Sequence, residues 1–207
     1  MPLLIFMRHG QADNNVNRVL VGRHKESHLT EFGIQQVEDT AKYLQHIPID
    51  RIYVSPVIRT VETAKIVSKL LGVSYVIDER LYEIEIGKLV GMNYDDVINQ
   101  YGNLFLKFYG ETETTLSKYG VESFSAVKQR IKALMDEVVE KDPDKNVLMI
   151  SHLDPIKAAI SILIDLSPKT LYHWHIRNAA LTILKHESKI FSLSGVNIMS
   201  IHRYLSE

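Results

Sequence analysis

The stretch Leu3-Leu4-Ile5-Phe6-Met7-Arg8-His9-Gly10 runs from an unbroken apolar segment straight into an arginine, a histidine and a glycine. A run this short, with no polar alternation, is the pattern of a strand covered on both faces. Ile52 to Val54 and Val147 to Ile150 repeat the pattern, and Ser74 to Ile77 is a fainter copy. Helical patterns lie between them. Thr30 caps a helix reaching to about Gln45, with Ile34, Val37, Ala41 and Leu44 on one face. Ser55-Pro56 opens the next, with serine as cap and proline at the first helical position, and Gly72 closes it. A third spans about Ser123 to Lys141, and a fourth starts at Asp154-Pro155 and runs to about Ile164. Strand, loop and helix recurring in this order predict an α/β fold with a mostly parallel sheet.

Two segments depart from the rhythm. Tyr94 to Tyr119 is rich in tyrosine, glycine and threonine and shows no clean strand, so we read it as a partly helical insertion over the sheet. Leu181 to Leu184 and Lys189 to Leu193 flank His186-Glu187-Ser188 and predict a hairpin at a sheet edge. No repeat or glycine/serine-rich linker interrupts the 207 residues, which suit a single domain over 1–207 with an insertion at about 94–119. Lysine and arginine total 24 against 25 aspartate and glutamate, so the net charge of −1 supplies no general field for nucleic acid or a membrane surface. With no cysteine, thiolate catalysis, disulfides and cysteine-based zinc sites are excluded. The apolar run at the start precedes its first charge and is too short for a signal peptide. A cytoplasmic protein is expected.

In open α/β sheets, ligands bind beyond the carboxyl ends of the strands. There the sequence sets Arg8-His9-Gly10, Ser55-Pro56-Val57-Ile58-Arg59, and Ser151-His152-Leu153-Asp154. Each residue alone has an ordinary explanation: a surface turn, a solvated helix arginine, a strand-end histidine. Two arginines and two histidines converging on one edge describe an anion pocket. Guanidinium forks match phosphate oxygens, and helix N-termini add free N–H groups. A histidine in that field is a candidate nucleophile on phosphorus. Glu83 and Glu85, beside apolar neighbours, are candidate proton donors, since such surroundings raise a carboxyl pKa. His173-Trp174-His175 has a metal-like look, but with no acidic cluster beside it we assign it a structural or surface role.

The order of these motifs resembles the histidine phosphatase superfamily, in its phosphoglycerate-mutase-like branch, across nearly the whole chain. Arg8-His9-Gly10 with Asn15, then Gly22 and Leu29-Thr30-Glu31-Phe32-Gly33 with Gln36, is similar to the opening motifs. Ser55 to Thr60 with Thr63-Ala64, Leu81-Tyr82-Glu83 with Gly87 and Gly91, Glu122-Ser123 with Arg130, and Ser151-His152 continue it. The resemblance implies a three-layer α/β/α sandwich and metal-independent phosphoryl transfer, with His9 as the phosphorylated nucleophile. It implies that Arg8, Arg59 and His152 hold the phosphoryl group, with Asn15 and Gly22 beside the substrate, and that Glu83 donates the proton. Glu85 lies outside the motif position.

Departures bear on which enzyme this is. Leu153 stands where the family pattern has a glycine after the second histidine. Ile86, Tyr94 and Gly110-Glu111 occupy places where mutases carry a tyrosine, a lysine and an arginine pair. Lys107 and Lys118 are the nearest substitutes in sequence, and Glu111 would repel an acidic substrate. The expected function is therefore hydrolysis of phosphomonoesters of small metabolites, with no cofactor. The alternative is a phosphoglycerate mutase using 2,3-bisphosphoglycerate, and a remote one is a non-catalytic phospho-ligand module. The partner is a small phosphorylated metabolite, not nucleic acid or membrane. The oligomeric state stays open, a homodimer among the options.

Overall fold

The computed structural model describes residues 2–23, 26–111, 115–187, 190–200 and 202–203. Six strands form one sheet: β1 (Leu3–Arg8), β2 (Arg51–Val54), β3 (Tyr75–Ile77), β4 (Val147–Ser151), β5 (Leu181–Glu187) and β6 (Ile190–Ile198). Their spatial order is β3-β2-β4-β1-β5-β6. The first four strands are parallel, and β5 and β6 add on as antiparallel neighbours. The helices are α1 (Asp13–Asn17), α2 (Glu31–Leu44), α3 (Ile58–Leu71), α4 (Tyr94–Tyr101), α5 (Leu104–Gly110), α6 (Thr115–Lys118), α7 (Phe124–Lys141), α8 (Leu153–Leu163) and α9 (Pro168–His173). None among the described residues is long and apolar enough to cross a membrane.

The period-two geometry of a strand sorts its side chains between two cores. Ile5, Met7, Ile52, Val54, Leu148 and Ile150 face Val37, Ala41, Ala64 and Val67 of α2 and α3. Leu4, Phe6, Val147 and Met149 face Val127, Ile131, Ile156 and Ile160 of α7 and α8. The α/β/α layering follows from strands apolar on both faces. The parallel register pairs Arg8 with Ser151, so β1 and β4 end side by side. His9 N–H donates to the Ser151 carbonyl and Ser55 N–H to that of Ile150, which carries the alignment one residue past the strands.

Local signals mark most boundaries. The Thr30 hydroxyl accepts from Gly33 N–H and starts α2, Ser123 does the same for α7, and Gly72 ends α3 at a positive φ of 69°. Two expected starts need correction. α3 begins at Ile58 with Val57 as cap, because the Ser55 hydroxyl is engaged by His152 instead. α8 begins at Leu153 with His152 as cap, which puts Asp154 inside the first turn. The terminal hairpin is longer than expected. His186 and Glu187 belong to β5, β5 is interior, and of the hairpin only β6 lies at an edge of the sheet. Of the expected turn His186-Glu187-Ser188, Ser188 lies outside the described residues, as does Lys189, the expected start of the second strand. The insertion is helical, as α4 to α6, with no strand among its described residues; 112–114 fall outside them.

One close approach holds the segment after β1 in place. Gln11 N–H donates to the Gln36 side chain at 2.9 Å, and Thr30 N–H to the Gln11 carbonyl at 3.0 Å. The backbones of this loop and of α2 then touch. A methyl group on Gly33 would lie 2.0 Å from the Gln11 carbonyl oxygen, and one on Gly10 would lie 2.5 Å from that of Gly33. We expect Gly33→Ala to lower stability by about 2 kcal/mol or more, the scale of an overpacked core, read as a reduced urea midpoint. An unchanged midpoint would mean that this contact is not needed.

Candidate active site

The carboxyl ends of β1, β2 and β4 open onto a cavity of about 330 Å³. Arg8, His9, Asn15, Gly22, Arg59 and Glu83 all line it. His152, fully buried, stands behind this lining with its ring centroid 5.2 Å from that of His9.

The hydrogen bonds assign the state of each imidazole. The Nδ1 of His9 lies 2.7 Å from the Gly10 carbonyl, which can only accept, so Nδ1 carries the proton. Its Nε2 lone pair is then the acceptor for the Arg59 Nε–H at 3.2 Å. Arg59 also donates to Nδ1 of His152 at 3.1 Å, which leaves the His152 proton on Nε2, donated to the Ser55 hydroxyl at 2.8 Å. Both pKa values fall well below the usual imidazole range. Burial is the main cause for each, and Arg59 adds to it. Two neutral rings therefore pack against guanidiniums, and His9 Nε2 keeps a lone pair. Thr63 links this group to α3: its hydroxyl accepts from Gly10 N–H and donates to the Arg59 carbonyl.

Arg59 is 2% exposed. Its donors reach the Gly22 carbonyl at 3.2 Å and the two imidazoles, and its Nη1 has no hydrogen-bond partner among the described residues. No described carboxylate pairs with it. Desolvation pulls its pKa down to about 10, so it remains charged at neutral pH. A buried cation with an unmet donor beside a cavity is costly without an anion to complete it. Arg8, also buried, donates to the Ile176 carbonyl at 2.5 Å. Asn15 is held by its side-chain oxygen, which accepts from Ala12 N–H and from Asn178, while Asn178 also donates to the His9 carbonyl.

Glu83 sits on a loop held from behind. Arg23 Nε donates to its carbonyl at 2.7 Å, and Arg130 approaches the same oxygen at 3.5 Å. Both arginines converge on the Glu122 carboxylate, and Arg130 also holds the Arg80 carbonyl. The carboxyl accepts from Ile84 N–H at 3.0 Å. Burial, with the negative charge of Asp154 adding to it, raises its pKa to about 7, and Arg59 opposes the rise. Glu85 turns away to cap Gly87 N–H.

Several lining residues were not anticipated as such. Lys157 and Tyr109 line the cavity, as do Tyr94, Phe105, Tyr172 and His175. The available signal for Lys157 was its place with Asp154, three residues apart, in a helix otherwise apolar on its buried side, a placement lysine rarely takes without a reason. Lys107, Lys118 and Glu111 are absent from the lining, and the Glu111 carboxylate accepts from Ser125 N–H instead. His173 is bonded to the Lys169 carbonyl. No group of three or more histidine, aspartate or glutamate residues suited to a metal occurs among the described residues.

Comparison with known proteins shows the family to which the chain belongs. The family described as histidine phosphatase superfamily (branch 1) matches residues 4–199. A 2,3-bisphosphoglycerate-dependent phosphoglycerate mutase of Thermoplasma acidophilum is 30% identical, covering 100% of this chain and 99% of its own. Phosphoserine phosphatase 1 of Hydrogenobacter thermophilus is 26% identical over 96% of this chain and 93% of its own. Among solved structures, YhfR of Bacillus stearothermophilus superposes with a TM-score of 0.87 at 25% identity, covering 97% and 98% of the two chains.

The raised pKa of Glu83 sets a stability test. In the folded chain Glu83 keeps its proton up to about pH 7, while the unfolded carboxyl loses it near 4.5. The folded state thus binds the extra proton between these values, and stability falls as pH rises through that window. We expect Glu83→Gln to match the parent's Tm below about pH 4.5. Its advantage should grow across the window and level off above pH 7, at no more than about 3 kcal/mol. A constant Tm difference between pH 4 and 8 would contradict the burial assigned to this carboxyl.

Proposed function

The chain belongs to the histidine phosphatase superfamily, branch 1, and from that premise we propose that it hydrolyses phosphomonoesters of small metabolites through a phosphohistidine at His9. The observation that supports this reading most directly is Arg59: a buried guanidinium with an unmet Nη1 donor and no carboxylate partner among the described residues, set against His9 Nε2, the unprotonated nitrogen that accepts from its Nε–H. A phosphoryl dianion supplies both the counter-charge and the acceptor.

In the proposed reaction, His9 Nε2 attacks phosphorus as the bond from phosphorus to the alcohol oxygen breaks. Arg8 and Arg59 stabilise charge on the three equatorial oxygens. The N-terminal end of α8 faces the same group and adds its dipole. His152 acts through Arg59, orienting its guanidinium from behind. Glu83, protonated near neutrality, gives its proton to the departing alkoxide. Its carboxylate then takes a proton from water as that water attacks phosphohistidine, releasing inorganic phosphate and restoring both groups. No step requires a metal. The working unit is proposed as one domain over 1–207, with the 94–119 insertion walling the cavity.

A mutase reading draws specific support from the mutase of 30% identity that aligns end to end with this chain. Its cofactor would be 2,3-bisphosphoglycerate. Arg8, Arg59 and His9 fit one phosphoryl group of that molecule, as the unmet Arg59 donor indicates. Gly110 and Glu111, which hold the places of the mutase pattern's arginine pair, are not among the described residues that line the cavity. A mutase must hold its intermediate away from water while it turns over, which calls for a fuller set of clamps. Hydrolysis is therefore the reading preferred here.

Labelled 3-phosphoglycerate, with and without 2,3-bisphosphoglycerate, separates the two. We expect most label to appear as inorganic phosphate, with acid-labile label on the parent protein and none on His9→Ala. Label moving mainly between hydroxyls, or an alanine variant that still turns over, would overturn the reading. Arg59→Lys keeps the charge but loses the fork. It should lower kcat/KM by about 2–4 kcal/mol, the range for removing an oxyanion donor. A change under threefold would remove Arg59 from the phosphoryl site.

A further inference from the structure

We propose that Lys157, seated on the Tyr109 hydroxyl, is a second anchoring point in the cavity that selects phosphomonoesters whose alcohol portion carries a carboxylate. This deepens the phosphatase reading and rests on it for the placement of the phosphoryl group at Arg59.

Lys157 is 3% exposed and lines the same cavity as Arg8, His9, Arg59 and Glu83. Its ammonium has three donors. Among the described residues it has one hydrogen-bond partner, the Tyr109 oxygen at 3.0 Å, and it lies 4.8 Å from the centre of the Tyr109 ring. The tyrosine proton is already committed, donated to Asp154 Oδ1 at 2.5 Å, so toward Lys157 the phenol oxygen can only accept. Two ammonium donors are left for something else. Ile84, Ile86, Phe105 and Leu153 contribute apolar wall to the cavity, while Asp154 and Glu83 are the carboxyl groups in its lining. The other lysine or arginine on this side, Arg18, is closed off in a two-bond pair with Asp95.

A structural explanation is available: Lys157 offsets Asp154, one helical turn away. It leaves the arrangement half explained. Asp154 is served by the tyrosine proton, and burial holds the Lys157 pKa down to about 8 against the pull of Asp154 and Glu83, with Arg8 depressing it further. At neutral pH the lysine is still mostly charged. A ligand carboxylate would restore the missing partner and would be strongly discriminated from a neutral group in the same place. A single lysine suffices to recognise a carboxylate. It does not enclose a bisphosphate that must turn over, so the proposal favours a phosphatase over a mutase.

The matched pair 3-phosphoglycerate and glycerol 3-phosphate, which differ as carboxylate against hydroxymethyl, tests this. Binding is measured by calorimetry in the His9→Ala background, where neither ligand is consumed. We expect tighter binding of 3-phosphoglycerate, and a preference that falls at least about tenfold on adding Lys157→Met, the scale of a hydrogen bond to a charged group. Lys157→Arg should keep the preference within about threefold on the same scale. Lys157→Gln, which keeps a stem able to reach the Tyr109 hydroxyl, substitutes where the methionine variant does not fold. A parent preference of zero, or equal losses on both ligands, would overturn the proposal and leave Lys157 a structural counter-ion. Phosphate release by the parent protein is scored separately. If binding behaves as expected but neither ester is hydrolysed, the phosphatase reading fails and the carboxylate anchor stands.

Discussion

The buried guanidinium of Arg59 is the constraint around which the site is arranged. Taking an arginine out of water without a carboxylate partner is expensive, and the protein offsets only part of the cost, with a carbonyl and two neutral imidazoles. Those choices explain much of the neighbourhood. Both imidazoles must stay neutral to accept from Arg59, and burial keeps them so. His152 must present Nδ1, which commits its Nε2 proton to Ser55 and takes that serine away from capping α3. Gly22 must bring its carbonyl close at a positive φ of 53°, where a methyl group would meet Ile86 at 2.8 Å. In the proposed reaction a phosphoryl group completes the arrangement, and unmet polarity becomes binding energy for an anion.

Around that centre, attractive contacts hold the chain at two levels. The loop bearing His9 is locked on α2 by backbone-to-backbone approach at Gly10 and Gly33, which leaves little freedom for the proposed nucleophile. The loop bearing Glu83 is held more softly, by two arginines that share Glu122. Such a clamp fixes the backbone while leaving the carboxyl to respond to its surroundings. The carboxyl lies between Asp154, which favours its protonated form, and Arg59, which favours the charged one. The double role proposed for Glu83, first acid and then base, needs this balance, since a pKa close to neutrality makes both directions of transfer accessible.

The layered fold was readable because unbroken apolar runs leave few options: strands apolar on both faces must be covered on both. The same runs located Arg8, His9, Arg59 and His152, since a parallel sheet brings all its carboxyl ends to one edge. Glu83 was harder. Its loop has no periodic pattern, and only the resemblance of Leu81-Tyr82-Glu83 to a family motif singled it out over Glu85. Ser55 was misread because serine before proline is a strong local capping signal, and a buried histidine outcompeted it. Lys157 and Tyr109 were not legible as a pair at all. One stands on α8 and the other on α5, inside the insertion, and their meeting depends on how the insertion folds back, which no local pattern encodes.

The first turns of α8 join the two halves of the cavity. His152 caps the helix and reaches Arg59, while Leu153, where the family pattern has a glycine, faces the cavity and packs on the core beneath. Asp154 and Lys157, three residues apart, fall on one side of the helix and meet the same tyrosine from both ends of its hydroxyl. Helix dipole, arginine support, acid tuning and the second cation thus issue from a single rigid element rather than from separate loops. Leu153 supplies apolar contact to the core at a position where a glycine would supply none. In the proposed reading, His152 supports the phosphoryl group through Arg59 and Lys157 takes the far carboxylate, so the span of the preferred substrate follows from the little more than one helical turn that separates these two residues on α8.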